Sequence, residues 1–223
     1  RFTIIAPVGL GENFAAFMHL ADHDEQLVSN RIWTEPQHID HRLTDLTEHM
    51  ENVIQKYLRN EFETIEQYNA HAGEVAEPFR IVVVANFPAN FTEATARRLV
   101  SIASSGARCG VYTLVSVDTK VPMPHGFNLA DLEHYSKVVC WQDERFVWKD
   151  PDFERLPLAL DAPPPSETFT DLLQIVGEKA KEAGRVEVPF EFIAPPPNQY
   201  WSGDSRPGIN VPLGRAGATK TQN

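Results

Sequence analysis

Apolar and polar positions follow two rhythms along this chain, and the switches between them mark its elements. Phe2 to Ile5 is a short apolar run stopped by Ala6-Pro7 and a Gly9-x-Gly11 turn, which predicts a strand. Glu12 to Leu20 reads as a short helix. A longer helix opens at Thr34, where Thr34-Glu35-Pro36-Gln37 has the form of a capping box with proline inside the first turn. Ile39, Leu43, Leu46, Met50, Val53 and Tyr57 then recur at spacings of three and four, one face of a helix. The pattern extends loosely through Phe62 and Ile65 toward Tyr68. With so few heptads, that face is expected to pack on a sheet rather than on a coiled-coil partner.

Ile81-Val82-Val83-Val84-Ala85 is apolar on both faces, as central strands of parallel sheets are. Thr92 to Ser105 predicts the next helix, with Ala96, Leu99, Val100 and Ala103 turned inward, and Gly106 and Gly110 break it. Val111 to Val117 predicts another strand, and Lys137 to Trp141 and Arg145 to Trp148 two short ones around Gln142-Asp143-Glu144. Helices alternating with strands argue for a layered α/β fold with parallel pairing. After Trp148 the composition changes. Pro151, Pro157 and Pro163-Pro164-Pro165 mark an extended linker, followed by a helix from Ser166 to about Ala183, ended by Gly184. Val186 to Ile193 is strand-like, Pro195-Pro196-Pro197 breaks it, and Trp201, Ile209, Val211 and Leu213 lie in a turn-rich tail. A domain boundary is expected near 149–165 or near 185.

Charge narrows the function classes. The 223 residues carry 20 basic and 31 acidic side chains, a net charge of −11. Such a surface repels phosphate backbones and anionic lipid, which argues against non-specific DNA binding by this segment alone. No apolar run approaches the ~18 residues of a membrane span, so no direct membrane contact is expected, and no signal peptide is visible. Cys109 and Cys140 sit in apolar runs and read as reduced core cysteines, fitting a reducing cytoplasm. The chain opens directly on a strand without a starting Met and ends in a polar stretch, which suggests a piece of a longer polypeptide.

Candidate chemistry is sparse. Gly214-Arg215-Ala216-Gly217-Ala218-Thr219-Lys220-Thr221 comes close to a phosphate loop, with Gly214, Lys220 and Thr221 as its weak cofactor-binding candidates. Thr219 takes the place of the second glycine, and no helix is predicted to follow. His19, Asp22, His23 and Asp24 invite a metal reading, as do His41, Asp45 and His49 along one helix face. Neither group has the H-E-x-x-H pattern of a catalytic zinc site, so polar helix surface is expected and no metal is assigned. Ser104-Ser105-Gly106 lacks the pattern of a nucleophile elbow.

Taken in order, the segments resemble the C-terminal two-thirds of a FtsK/SpoIIIE (HerA-like) motor ATPase domain. Ile4-Ile5-Ala6-Pro7-Val8-Gly9 resembles that family's strand ending in Asp-Pro-Lys. Glu48-x-Met50-Glu51 and Gln67-Tyr68-Asn69 are similar to its Glu-Met-Glu-Arg helix and the Tyr-Asn that follows. Phe79 to Phe91 resembles its Walker B strand and the segment after it. Arg97-Arg98-Leu99 through Tyr112 resembles the next helix, turn and strand, which ends here in Ser116-Val117-Asp118. Val211-Pro212-Leu213-Gly214 resembles the strand before the phosphate loop of a following unit.

The resemblance implies a three-layer, RecA-like, mostly parallel α/β sheet flanked by helices, incomplete, with a Pro-rich C-terminal extension. It divides the chain into an ATPase core over 1–150, a Pro-rich linker and helix over 151–184, and a strand and turn-rich tail over 185–223. It also implies departures at the catalytic positions. The family's Walker B acids fall on Ala85 and Asn86, its γ-phosphate sensor on Asp118, and a lysine on Val8. An alanine holds no metal-bound water and an asparagine accepts no proton, so no hydrolysis is expected from this unit. Arg108 is the candidate arginine finger, reaching a neighbouring subunit.

The parent protein is then expected to use ATP and Mg, to form a homo-oligomeric ring with neighbouring ATPase units, and to be cytoplasmic or membrane-associated. Its cargo would be DNA, in cell division and chromosome segregation, or a secreted protein. Two alternatives stand beside this. The unit is active, with its phosphate loop before Arg1. Or it is a protein-interaction module without nucleotide.

Overall fold

The computed structural model describes residues 1–29, 31–73, 76–153, 155–156 and 158–183, and beyond them 194, 196–200, 203–204, 206, 208, 214–216 and 220–222. Three strands build the central sheet: β1 (Phe2–Ile5), β2 (Arg80–Phe87) and β3 (Val111–Val117), in the order β1-β2-β3. Both pairings are parallel, with Ile4 opposite Val83 and Val83 opposite Leu114. The all-apolar run after Arg80 is therefore the middle strand, as its two-sided hydrophobicity predicts. Trp33 adds a single parallel bridge on the far side of β1, opposite Ile5, and donates its N–H to the Ile4 carbonyl at 2.8 Å.

Side chains alternate between the faces of this sheet, and each face meets its own layer. Ile5, Val82 and Val84 pack with α1 (Pro36–Asn52), α2 (Ile65–Ala72) and α3 (Glu93–Ser105) through Leu43, Met50, Ile65 and Leu99. Ile4 and Val83 face the opposite layer, where Leu20, Val28 and Leu173 are buried. That second layer consists of a 3₁₀ segment (Gly9–Leu20), a 3₁₀ turn (Glu25–Val28) and α5 (Ser166–Ala183). Phe17 and Phe169 meet edge to face at 5.3 Å, so the helix read from sequence as part of the linker region rests on the N-terminal segment. The fold is thus three-layer α/β with a parallel sheet between helices, the expected class.

Several local expectations are corrected. The capping box does not form: Glu35 is the residue before α1 and makes no side-chain cap. Pro36, with fixed φ and no N–H to satisfy, takes the first helical position and moves the start one residue along. The Thr34 carbonyl instead accepts Asn90 Nδ2 at 2.9 Å. The single long helix toward Tyr68 is also broken. After Asn52 the chain widens into a π turn (Val53–Leu58), which carries Leu58 fully into the core while Tyr57 is only partly buried. Arg59 and Asn60 then adopt positive φ of 43° and 62° and end the helix. It restarts in α2, capped by the Thr64 hydroxyl, which accepts the Gln67 N–H. Glu12 to Leu20 is helical as expected, within a 3₁₀ segment that kinks at Leu10 and Gly11.

A short helix that the apolar pattern does not announce, α4 (Leu129–Glu133), is capped by Asn128, whose side chain accepts the Ala130 N–H. β4 (Val139–Gln142) and β5 (Arg145–Trp148) form the expected hairpin. Asp143 and Glu144 turn it with φ of 49° and 60°, the signs that a two-residue hairpin turn requires. Far down the chain, β6 (Gly214–Ala216) and β7 (Lys220–Gln222) pair antiparallel. The strand-like stretch 186–193, Gly184, Trp201, Ile209, Val211 and Leu213 lie outside the described residues.

Candidate functional site

In open parallel sheets ligands sit at the carboxyl ends of the strands, and here that edge is built by three loops. The first leaves β1 through Ala6-Pro7-Val8 and turns sharply at Gly9, Leu10 and Gly11, with φ of 69°, 53° and 78°. Gly11 has no substitute: a Cβ there would come within 2.6 Å of Ile32 Cγ2. The second is a bulge at the end of β2. Val84 pairs with Val115 and Phe87 with Val117, so Ala85 and Asn86 together oppose Ser116. Asn86 takes the extra turn with φ of 56°, a conformation asparagine tolerates better than most residues, and donates its N–H to Ser116 Oγ at 3.0 Å. The third loop leaves β3 at Asp118, whose N–H donates to the Phe87 carbonyl at 2.8 Å.

Ala85, Asn86, Ser116 and Asp118 are thereby gathered at one edge, as the resemblance implies for three of them. The chemistry they offer is slight. Ala85 is buried and contributes a methyl group. Asp118 Oδ1 accepts the N–H of Lys120 at 3.0 Å, a local turn that occupies one of its oxygens. Val8 is exposed on the first loop. No carboxylate stands at the end of the middle strand to hold a Mg²⁺ ion through oxygen ligands.

Arg108 lies at the other end of the sheet. It sits in the 3₁₀ turn (Ala107–Cys109) that leads into β3, and its Nε donates to the Glu63 carbonyl at 2.7 Å. Gly214, Lys220 and Thr221 lie on the β6–β7 pair, where the described residues form two strands. His41 pairs with Asp45 at 3.0 Å, while His49 turns away toward Glu77. His19 stands 3.5 Å from Asp22, and the His23 ring lies against Gly177 of α5. Among the described residues no three His, Cys, Asp or Glu side chains converge as a metal site.

The perturbed ionisable groups gather at the amino edge, and sequence reading missed them. Glu77 Oε1 stands 3.5 Å from Arg80 Nη2 and 3.8 Å from His49 Nε2. Burial, with the nearby Glu77 carboxylate, raises the Tyr57 hydroxyl above the ordinary range. Burial, reinforced by the charge of Arg80, lowers His49 to about 4. At 3.8 Å the carboxylate does not outweigh those two effects, so His49 is neutral and the ion pair is Glu77 with Arg80. Burial also pushes the Cys109 thiol up, and its Sγ lies 3.8 Å from the Met50 carbonyl. The one available signal was Glu77 and Arg80 bracketing the start of an apolar strand.

No protein-family model matches the chain, and no curated protein matches it. Among solved structures it is similar to EssC (ATPases 2 and 3) from Geobacillus thermodenitrificans, at 15% identity and a TM-score of 0.48, over 99% of this chain and 52% of that one. It is also similar to the cytoplasmic domain of EssC, at 14% identity and a TM-score of 0.43, over 99% of this chain and 54% of that one. The chain thus spans about half the length of the solved structures it matches. Likeness at that level concerns the path of the backbone and carries no chemistry.

Proposed function

We propose that this chain is a non-hydrolysing unit of a FtsK/SpoIIIE-like translocating motor, with a structural or regulatory part in a larger assembly. One observation carries the reading: the middle strand of a parallel sheet ends in the neutral bulge Ala85-Asn86, at the edge where such a motor needs acids. The order of the family-like segments supports it, and so does their gathering on one parallel sheet. Hydrolysis of a phosphoanhydride needs a metal ion held by oxygen ligands and a group to orient or deprotonate water. Losing a general base alone costs roughly 10²–10⁴-fold in rate. Here the bulge itself supplies neither that base nor a metal-holding carboxylate, and the carboxylate at this edge, Asp118, has one oxygen engaged by the Lys120 N–H. ATP and Mg then belong to partner units of the parent assembly, and Arg108, at the amino edge and away from its own crevice, is the residue this unit would offer to a neighbour. The cargo class, DNA or secreted protein, follows the parent.

A phosphate-release assay tests this. The full chain is expected to turn over no ATP above the blank at any Mg²⁺ concentration. The double variant Ala85→Asp, Asn86→Glu is expected to stay inactive too, since Val8 and Asp118 also depart from the family pattern. Turnover by the unaltered chain contradicts the reading. Turnover by the double variant alone would mean that the pocket is intact apart from its acids.

A further inference from the structure

On a chain of net charge −11, two cations gathered on one aromatic ring ask for an explanation. Trp33, bridged to Ile5 beyond β1, is packed into the main core with its ring 9% exposed. Arg31 Cζ lies 4.5 Å from the centroid of that ring and Arg42 Cζ 4.8 Å. The two carbons therefore lie within the sum of those distances of each other, and like charges at such range repel. Carboxylates offset only part of this. Asp45 pairs with Arg42 at 2.8 Å, and Asp40, on the same helix, is taken by Arg98. Arg31 has no ion-pair partner among the described residues; its Nη2 donates to His38 Nδ1 at 3.3 Å. The His38 ring in turn meets Trp33 edge to face at 5.8 Å. Two more donors of the cluster, Trp33 Nε1 and Arg42 Nε, are buried without an acceptor among the described residues.

We propose that Arg31 and Arg42, stacked on Trp33, form a binding site for a phosphate-type oxyanion. A guanidinium whose face lies on an aromatic ring keeps its edge free, and that edge carries N–H donors in the fork that suits phosphate oxygens. Stacking also fixes the side chain in advance, so less freedom is lost when the anion arrives. An oxyanion between the two guanidinium groups turns their repulsion into attraction, and it offers acceptors to a cluster that holds more donors than acceptors. Arg31 is exposed and Arg42 only partly so, with Trp33 beneath them, which opens the site on the Arg31 side. The site draws on the segment before α1 and on α1 itself, not on the three loops of the crevice, so it stands apart from the motor reading. With its donors next to water, it should hold phosphate with a dissociation constant on the order of millimolar. ATP carries the same group and would bind here in that range, far above the submicromolar range of an intact nucleotide crevice.

The full chain, labelled with ¹⁵N, is titrated with inorganic phosphate at constant ionic strength. The readout is the Trp33 indole N–H resonance, identified by its loss in Trp33→Phe. A saturable shift is expected. Arg31→Gln, at an exposed position, is expected to weaken binding about fivefold or more, and Arg31→Lys nearly as much, because an ammonium lacks the fork. Lys56→Gln, an exposed cation elsewhere, is expected to leave it unchanged. O-phosphoserine is titrated alongside. Tighter binding than inorganic phosphate assigns the group to a phosphorylated side chain, weaker binding assigns it to the free ion, and either upholds the site. A shift that does not saturate overturns the proposal, as does one that chloride reproduces at the same concentrations, which would mean an adventitious ion only. Unchanged affinity in Arg31→Gln overturns it too, and so does an equal loss in Lys56→Gln, which would mean general attraction to surface charge.

Discussion

The two ends of the central sheet differ in kind. At the amino edge, His49, Tyr57, Glu77 and Arg80 form a half-buried ionisable cluster, and three of the four are shifted by burial. At the carboxyl edge, Ala85, Asn86 and Ser116 are uncharged, and Asp118 is engaged in a turn of its own loop. Enzymes of this architecture concentrate perturbed groups at the carboxyl edge, where substrates bind. In this chain the distribution is reversed. The perturbed groups sit where the sheet is anchored, and the crevice is electrically quiet. Perturbation here marks structural support.

The largest effect is expected from reversing that contrast. Ala85 is 7% exposed, so Ala85→Asp places a carboxylate in a buried position. It should destabilise the fold by roughly 3 kcal/mol, read in urea denaturation, and millimolar Mg²⁺ should not restore the loss. Recovery with Mg²⁺ would mean that a metal pocket survives. Next comes Glu77→Gln at the other edge. It removes the counter-charge of Arg80 and should cost about 2 kcal/mol by the same measurement. A neutral outcome would show the cluster to be surface decoration.

A pH series sharpens the comparison further. His49 is lowered to about 4 in the fold, below its ordinary value of 6.5, so the unfolded chain takes up a proton first as pH falls. The stability linked to His49 is therefore fully present above pH 6.5, falls between 6.5 and 4, and levels below that. Allowing for solvent screening of a group near the surface, the loss should be about 1 kcal/mol. His49→Gln should flatten the slope. The smallest effect belongs to the bulge. Asn86→Gly should stay within about 0.5 kcal/mol, because glycine accepts positive φ freely, while Asn86→Val should cost roughly 1–2 kcal/mol.

What could be read in the chain follows from how local each feature is. The middle strand was legible because a run apolar on both faces has few other homes. The α1 face was legible because Leu43, Leu46 and Met50 repeat at helical spacing over several turns. The break after Leu58 was not, since a π turn preserves apolar character while shifting which residue points inward. At the carboxyl edge, the resemblance brought Ala85, Asn86 and Asp118 to one place. The bulge that re-aims them was hidden, because it depends on the register between β2 and β3. The amino-edge cluster was legible only in its Glu77–Arg80 pair, because His49 and Tyr57 come from a separate segment and meet that pair only in three dimensions.

Calorimetric titration of ATP with Mg²⁺ into the full chain bears most directly on the quiet crevice. A crevice with neither a phosphate loop among the described residues nor an acid at the end of its middle strand predicts no saturable heat of binding. Submicromolar binding at one site per chain would mean that the nucleotide pocket is whole, and that Ala85 and Asn86 have been assigned the wrong place in it.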